Sequence, residues 1–324
     1  MIHPLSVQQP EGEEPRTETR AELPRPGQSG WYARPERPDW IRVRMHTGET
    51  YGKVHSLLRN HRLNTVCQEA RCPNIHECWS SGTATFMIMG EVCTRACSYC
   101  AVKSGRPEPL DPGEPESVAL AVETMGLDHA VITSVDRDDV EDFGAGHFAA
   151  TVRAIRERSP RTRIEVLIPD FAGDEEALGK VLEVLPDVLN HNTETVPRLY
   201  PRVRSRGVYE RCLELLARAA RFRDARHPAM LTKSGLMVGL GETREELLRT
   251  FRDLRDQGVE ILTVGQYLRP SMKHVPVERF WSPEEFEDLR GEALGMGFRF
   301  VEAGPLVRSS YHAHRHRTGA LAGS

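Results

Sequence analysis

The chain of 324 residues is 39% hydrophobic and 28% charged, a composition that is ordinary for a globular protein. This length suits one large α/β domain or two smaller domains. The formal net charge of −4 shows no excess of basic residues, so we expect no nucleic-acid partner. No apolar run approaches the roughly 18–20 residues that span a bilayer, so we also expect no membrane partner.

Residues 1–30 are rich in proline, glutamate, glycine and arginine, which predicts a disordered leader. They contain no apolar signal core, and their glutamates are not typical of a transit peptide. Six of the seven cysteines of the chain are crowded at metal-ligand spacings further along. We therefore expect a cytoplasmic protein with reduced cysteines, and not a secreted disulfide framework.

Residues 31–82 have a mixed pattern that predicts an N-terminal extension wrapped onto a larger body. A strap rich in tryptophan and proline comes first, and a helix is predicted at about residues 51–60. The extension ends with the triplet Cys67-x4-Cys72-x5-Cys78, in loop-like sequence that contains Pro73 and Asn74. Three thiolates are one short of a closed tetrahedral site, so this triplet either borrows a fourth ligand or leaves one position open.

Residues 83–300 alternate short β-rich runs with amphipathic stretches, and residues 301–324 form a C-terminal segment with a flexible tail. The predicted strands are Thr83–Met89, His129–Val135, Arg163–Pro169, Val188–Asn192, Met230–Val238 and Ile261–Leu268. The predicted helices lie at about 115–126, 146–158, 174–185, 208–222, 243–257 and 283–296. Six repeats of this kind predict an α/β fold with parallel strands, either a doubly wound sheet or a partial barrel. Both architectures place function at the carboxyl ends of the strands.

A second triplet, Cys93-x3-Cys97-x2-Cys100, follows the first predicted strand directly. It holds three sulfur atoms on one compact loop around a single metal centre and leaves one coordination position open. The alternative is a structural zinc site that a histidine such as His76 completes. The position at the functional edge of the sheet favours a redox or group-transfer enzyme.

The sequence CTRACSYC, which contains this triplet, resembles the radical S-adenosylmethionine (SAM) superfamily. The resemblance implies a [4Fe–4S] cluster on Cys93, Cys97 and Cys100, with one iron that binds SAM. One electron from this cluster cleaves SAM to give a 5′-deoxyadenosyl radical. The resemblance also implies that Tyr99 packs near the adenine. The implied fold is a partial (β/α)6 barrel, which agrees with the six predicted repeats.

The first triplet, in TVCQEARCPNIHECW, and the segment Arg308-Ser309-Ser310-Tyr311-His312 together resemble the lipoyl synthase family. The resemblance implies an auxiliary [4Fe–4S] cluster with the ligands Cys67, Cys72, Cys78 and Ser310, Ser309 being the second choice for the serine. An alkoxide oxygen is a harder ligand than a thiolate and is less matched to iron–sulfur clusters. We therefore expect a labile iron–serine bond in a cluster that is dismantled to supply sulfur.

Four further segments match the same family: Thr133–Asp139, Asn190–Tyr200, Thr232–Thr243 and Val264–Ser271. Because each lies in or at the carboxyl end of a predicted strand, their polar side chains are candidates to bind SAM or the substrate. These candidates are Ser134, Asn192, Glu194, Lys233 and Arg269. The stretch Gly239–Thr243 could instead be a tight β–α turn. Cys212 lies in a helical pattern and is predicted to be a buried core thiol.

The resemblance implies a sulfurtransferase that inserts two sulfur atoms at C6 and C8 of a protein-bound octanoyl-lysine, with two SAM molecules per product. It implies an octanoylated lipoyl carrier as partner, either a dehydrogenase E2 subunit or the glycine-cleavage H protein. An electron donor such as ferredoxin or flavodoxin and an iron–sulfur carrier protein are also implied. The alternatives are another two-cluster enzyme, such as a methylthiotransferase, and a metal-binding module without turnover.

Overall fold

The structure, a computed structural model, describes residues 36–41, 64–65, 74–80, 83–311 and 313. The predicted leader and the helix predicted at about 51–60 lie outside these residues, as do Cys67 and Cys72. Of the first cysteine triplet, only Cys78 is described. It lies in a short helix and not in the loop that the sequence predicts, with Pro73 and Asn74 just before the helix begins.

One eight-stranded sheet forms the centre of the fold, in the order β1-β2-β5-β6-β7-β8-β9-β10. All neighbouring strands are parallel except β1, which is antiparallel to β2. The strands are β1 (Asn64–Thr65), β2 (Thr83–Ile88), β5 (His129–Ser134), β6 (Arg163–Leu167), β7 (Val188–Asn190), β8 (Leu231–Val238), β9 (Ile261–Gln266) and β10 (Phe300–Gly304). Two short strands, β3 (Val92–Cys93) and β4 (Lys103–Ser104), pair separately.

Helices connect the parallel strands, as expected for right-handed β/α crossovers. The helices are α1 (Ile75–Ser80), α2 (Glu114–Met125), α3 (Ala145–Arg158), α4 (Glu175–Leu182), α5 (Tyr200–Val203), α6 (Tyr209–Arg226), α7 (Arg244–Asp256) and α8 (Pro283–Gly295). Short 3-10 turns at Phe171–Gly173 and Pro197–Leu199 precede α4 and α5. No helix in the described part of the chain is long and apolar enough to cross a membrane.

The strands form in runs of residues that are buried on both faces of the sheet. All six residues of β2 and all six of β9 are buried. Two helices have N-terminal capping boxes, which satisfy free backbone N–H groups. Thr243 and Glu246 form one at α7, and Ser282 and Glu285 form one at α8. The cap at Ser282, followed by Pro283, is the one that the sequence predicts.

The partial barrel predicted from the sequence is confirmed, and its six predicted strands and six predicted helices are all present. The structure adds β10, a seventh parallel strand that the sequence analysis did not predict. This strand pairs with β9 from Phe300 to Gly304. In the described sheet β1 and β10 are the two edge strands and do not pair with each other, so the sheet is open.

A buried ion pair joins side chains of β6 and β8. Lys233 Nζ of β8 is 3.0 Å from Glu165 Oε1 of β6, and both side chains are fully buried. Asn190 donates its side-chain amide to the same carboxylate at 2.9 Å. Burial alone would raise the pKa of Glu165, but Lys233 and His129 together lower the pKa to about 2. Lys233, a candidate ligand-binding residue by sequence, therefore pairs with a buried carboxylate inside the fold.

Candidate active site

One cavity of about 320 Å³ lies at the carboxyl ends of the strands. The loop after β2, the ends of β5 to β9 and the C-terminal segment all contribute to its wall. Most of the site residues predicted from the sequence line it: Cys93, Cys97, Tyr99, Cys100, Ser134, Asn192, Glu194, Ser309 and Ser310. The edge of the sheet therefore brings together segments that are more than two hundred residues apart in the chain.

The cysteine loop is fixed to the rest of the cavity wall through its backbone. Ser98 N–H donates to the carbonyl of Val203 at 3.1 Å, and the carbonyl of Ser98 accepts from Val275 N–H at 2.9 Å. His274 Nε2 donates to the carbonyl of Cys100 at 2.9 Å. The loop is thus held on two sides, which orients its three sulfur atoms toward one cavity.

The three cysteines of the loop supply the kind of donor atom that a soft metal centre takes. Burial, with help from Asp136, raises the pKa of Cys93 to about 11, and burial raises the pKa of Cys97 to about 12. As thiols these groups would keep their protons at neutral pH, so a cation is needed for them to act as thiolates. Two backbone N–H groups, of Arg95 and Asp136, donate to Cys93 Sγ at 3.4 and 3.3 Å. Cysteine sulfur is the donor that iron–sulfur clusters require.

Arg95 lies in the same loop and is almost completely buried among carboxylates. Its guanidinium contacts Asp138 through Nη2 at 2.7 Å, Asp170 through Nη1 at 2.8 Å and Asp136 through Nη1 at 3.3 Å. Burial would raise the pKa of Asp170, but Arg95 lowers it to about 2. A hydrogen bond from Arg95 likewise lowers the pKa of Asp138. Asp136 and Asp138 lie in the matching segment Thr133–Asp139, but no sequence motif indicates a role for Arg95 or Asp170.

A polar group beside the cysteine loop is formed by Tyr99, Asn192 and Glu194. Asn192 Nδ2 donates to Glu194 Oε1 at 3.2 Å, and Glu194 has a left-handed backbone, with φ of 67°. Burial raises the pKa values of both Tyr99 and Glu194. The buried Asn192 Oδ1 and Ser134 Oγ have no hydrogen-bond partner within the described residues. Such orphaned atoms in a cavity wall fit a polar ligand.

A second polar cluster, which sequence reasoning missed, surrounds Cys212 behind the cavity. Cys212 is buried, as predicted, and its sulfur lies 3.1 Å from His191 Nε2, 3.3 Å from Arg204 Nη1 and 3.4 Å from the Tyr200 hydroxyl. Burial would raise the pKa of Cys212, but His191 lowers it to about 7. His191 and Arg204 also line the cavity. The one sequence signal for His191 and Arg204 is their position, directly after β7 and α5 at the edge of the sheet.

Two other candidates lie elsewhere. Arg269 is not among the residues that line the cavity; it donates to the carbonyls of His274 and Met272 at 2.8 and 2.9 Å. It therefore shapes the loop whose His274 holds Cys100. The Gly239–Thr243 stretch is a tight turn, in which the Glu242 carboxylate accepts from Gly239 N–H at 2.6 Å.

The C-terminal segment reaches the cavity by crossing the end of β9. Gly265 of β9 permits this approach, because an added Cβ would overlap the carbonyl oxygen of Val307. On the other side, Asn74 Nδ2 donates to the carbonyl of Leu306 at 2.6 Å. Asn74 directly precedes α1, which contains Cys78. The helix of one predicted auxiliary ligand is thus joined to the segment that carries Ser309 and Ser310.

The partial barrel and its cysteine loop define a protein of the radical SAM superfamily, which residues 87–254 match. Residues 10–72 match the N-terminal domain of lipoyl synthase of the radical SAM family. The lipoyl synthase of Rubrobacter xylanophilus is 55% identical over 288 residues, which cover 89% of this chain and 88% of that protein. The lipoyl synthase of Koribacter versatilis is 57% identical over 278 residues, covering 86% and 90%. The chain belongs to the lipoyl synthase family.

Solved structures support the fold alone. Methylornithine synthase aligns with a TM-score of 0.50 and 14% identity, covering 82% of this chain and 88% of that one. SuiB of Streptococcus suis, bound to the precursor peptide SuiA, aligns with a TM-score of 0.53 and 8% identity, covering 78% and 52%.

Proposed function

We propose that this protein is a lipoyl synthase that inserts two sulfur atoms, at C6 and C8, into an octanoyl chain attached to a carrier lysine. The observation that carries the proposal is that Ser310 lines the same cavity as Cys93, Cys97 and Cys100. A radical-forming site and the proposed ligand of a sulfur source then face one substrate space. The hydrogen bond from Asn74 to Leu306 supports this arrangement, because it ties the helix of Cys78 to the same segment.

Each cluster has its own proposed ligands. Cys93, Cys97 and Cys100 would hold the cluster that binds SAM, and the auxiliary cluster would be held by Cys67, Cys72, Cys78 and Ser310. When bound, these groups would supply one 5′-deoxyadenosyl radical from each of two SAM molecules per product, and the two sulfur atoms. Segment 31–82 would carry the auxiliary cysteines, and segment 301–324 would complete their site.

The polar residues of the wall are proposed to bind SAM. Tyr99 would pack against the adenine, while Ser134, Asn192 and Glu194 would use the polar atoms that face the cavity. Arg269 would affect SAM binding indirectly, because it hydrogen-bonds to the loop whose His274 contacts the carbonyl of Cys100. These side chains fix the geometry of a radical abstraction, in which placement of the reacting atoms supplies much of the rate.

The apolar part of the wall is proposed to hold the octanoyl chain and to exclude water. It includes Met87, Leu167, Ile168, Leu236 and Met237. Hydrogen abstraction from the unactivated C6 methylene and C8 methyl groups needs no general acid or base, so we assign no such role to the residues of the wall. The serine oxygen of Ser310 is a harder ligand than cysteine sulfur. The resulting labile iron–serine bond would suit a cluster that is consumed.

The proposed partners follow from this substrate. The octanoylated carrier would be a dehydrogenase E2 subunit or the glycine-cleavage H protein. Ferredoxin or flavodoxin would supply electrons, and an iron–sulfur carrier protein would rebuild the auxiliary cluster. The crowding of cysteines at metal-ligand spacings favours a cytoplasmic enzyme.

Turnover on an octanoylated carrier peptide tests the proposal. Anaerobically reconstituted protein, SAM and dithionite should yield a peptide that is heavier by two sulfurs less two hydrogens in mass spectrometry. Two molecules of 5′-deoxyadenosine should form per product. A protein that binds iron and cleaves SAM but leaves the peptide unchanged would contradict the proposed substrate, and a protein without iron would contradict the chemistry.

A further inference from the structure

Arg95 occupies a central place between the cysteine loop and the sheet, yet the proposed function gives it no role. It stands between Cys93 and Cys97 and is 7% exposed. Its guanidinium makes a forked contact with Asp138, through Nε at 3.0 Å and Nη2 at 2.7 Å. Forked ion pairs fix direction as well as distance. Arg95 therefore has one defined orientation inside the protein.

The partners of Arg95 come from the ends of two neighbouring strands. Asp136 and Asp138 follow β5, and Asp170 follows β6. Thr94 adds a second link, since its hydroxyl donates to Asp138 Oδ2 at 3.0 Å and its N–H donates to the carbonyl of Asp136 at 3.1 Å. Arg95 and Thr94 thus attach the start of the cysteine loop to the residues that follow β5 and β6.

The same turn determines what surrounds the sulfur of Cys93. The N–H groups of Arg95 and Asp136 both donate to this sulfur, and Asp136 Oδ2 lies 3.6 Å from it. Hydrogen bonds to ligand sulfurs and nearby charge are two of the levers that set the reduction potential of an iron–sulfur cluster. The ion pairs of Arg95 hold both the donors and the carboxylate in place.

Arg95 compensates much of the negative charge of the three carboxylates around it. Asp170 has a second cation, Arg211, at 3.1 Å. Asp138 has the exposed Arg206 at 3.6 Å. Removing the charge of Arg95 would leave Asp136 and Asp138 beside the cluster site with much weaker compensation. Added negative charge makes it harder for a cluster to accept an electron.

We propose that Arg95 is a positioning residue for the SAM-binding cluster: it holds the Cys93 turn on the ends of β5 and β6 and compensates the carboxylates that face the cluster. This inference rests on the proposed function, because it takes Cys93, Cys97 and Cys100 as ligands. Arg95 also lines the cavity, but its guanidinium is engaged by Asp136, Asp138 and Asp170.

The test is a redox titration of the full reconstituted chain, followed by electron paramagnetic resonance. The signal that changes on addition of SAM reports the SAM-binding cluster and separates it from the auxiliary one. At a fixed potential, Arg95→Gln should show an about tenfold lower ratio of reduced to oxidised cluster than the unsubstituted protein. Asp138→Asn, which removes a negative charge, should shift the ratio in the opposite direction. Arg158→Gln is the matched control, since Arg158 also pairs with two carboxylates but on outer helices.

The outcomes separate the two proposals. Opposite shifts for Arg95→Gln and Asp138→Asn, with Arg158→Gln unchanged, support the inference. If Arg95→Gln fails to fold, the upward shift in Asp138→Asn alone still supports it. Titrations of both variants that match the unsubstituted protein would overturn it. A lack of any SAM-responsive signal in the unsubstituted protein would overturn the proposed function first.

Discussion

Asn74 and Leu306 are joined by a 2.6 Å hydrogen bond from the side-chain amide of Asn74 to the carbonyl of Leu306, across 232 positions of the chain. The contact links the start of α1, where Cys78 lies, to the turn that leads to Ser309 and Ser310. A cluster ligated from both segments needs them at a fixed separation. The bond is therefore a structural requirement of the auxiliary site that we propose.

Asn74→Asp should remove this link without changing the start of the helix. Aspartate begins a helix as well as asparagine does, but its carboxylate has no proton to donate to Leu306. A fully buried carbonyl left without its donor costs about 1–3 kcal/mol, and the partly buried carbonyl of Leu306 should cost less. We expect iron to fall from about eight per chain toward four, if both clusters are cubes, while the SAM-responsive signal persists. Iron analysis and electron paramagnetic resonance check this; full iron content in the variant would refute the role of the bond.

Gly265→Ala should displace the C-terminal segment from the cavity. The added methyl group would overlap the carbonyl oxygen of Val307, and overpacking of this kind costs about 1–3 kcal/mol. We expect loss of auxiliary iron and of sulfur insertion, with SAM cleavage retained. Gly291→Ala is the control, because an added Cβ on Gly291 meets no described atom within 4 Å and alanine favours a helix by up to about 1 kcal/mol. Equal behaviour of the two variants would argue against the close approach.

Ser310→Ala and Ser309→Ala form a matched pair, since both side chains line the cavity. Because Ser310 is the proposed iron ligand, Ser310→Ala should abolish sulfur insertion but leave cleavage of SAM to 5′-deoxyadenosine. Ser309→Ala should retain both. Product analysis by mass spectrometry, alongside chromatography of 5′-deoxyadenosine, measures the two activities separately. The reverse result would transfer the ligand role to Ser309.

The fold was largely predictable because its central strands are buried on both faces and three of its helices, α4, α7 and α8, begin with side-chain caps. The run Thr83–Ile88 is buried throughout, and such runs stand out against amphipathic helices. The strand Phe300–Gly304 was missed because most of it is only half-buried and Glu302 interrupts its apolar pattern. A strand at one end of the sheet packs on fewer neighbours, so its sequence is less constrained.

Part of the cavity lining could be predicted from positions at strand ends, whereas the partners of buried charges could not. Cys93, Ser134 and Glu194 line the cavity as strand-end positions suggest. A polar residue on a strand can instead pair with a buried partner, as Lys233 does with Glu165. Sequence spacing does not show which partner a charge will meet, and this is why Arg95 was overlooked.

The pair of Glu165 and Lys233 should behave as a coupled unit. Glu165→Gln or Lys233→Met alone leaves an uncompensated buried group and should lower the free energy of unfolding by about 3–5 kcal/mol. The double variant should lose much less than the sum. Chemical denaturation of the three variants, read by circular dichroism, measures this. Additive losses would show that the two groups do not depend on each other.

The same pair predicts a pH dependence. The pKa of Glu165 is lowered to about 2 in the folded protein from a usual value of 4.5. A depressed pKa stabilises the folded state above the unfolded value and ceases to do so as pH falls through the folded value. The free energy of unfolding should therefore decrease between about pH 4.5 and pH 2, and Glu165→Gln should flatten this part of the curve. An equally steep curve for the variant would contradict the assignment.

The central claim is that the auxiliary cluster of this chain is the source of the inserted sulfur. The most direct measurement is to rebuild the clusters with sulfide of a heavy sulfur isotope and to run a single turnover on the octanoylated carrier peptide with unlabelled SAM. Mass spectrometry should find both inserted sulfur atoms in the heavy form, and Ser310→Ala should yield no sulfur-containing product. A product with unlabelled sulfur, or full insertion by Ser310→Ala, would contradict the account.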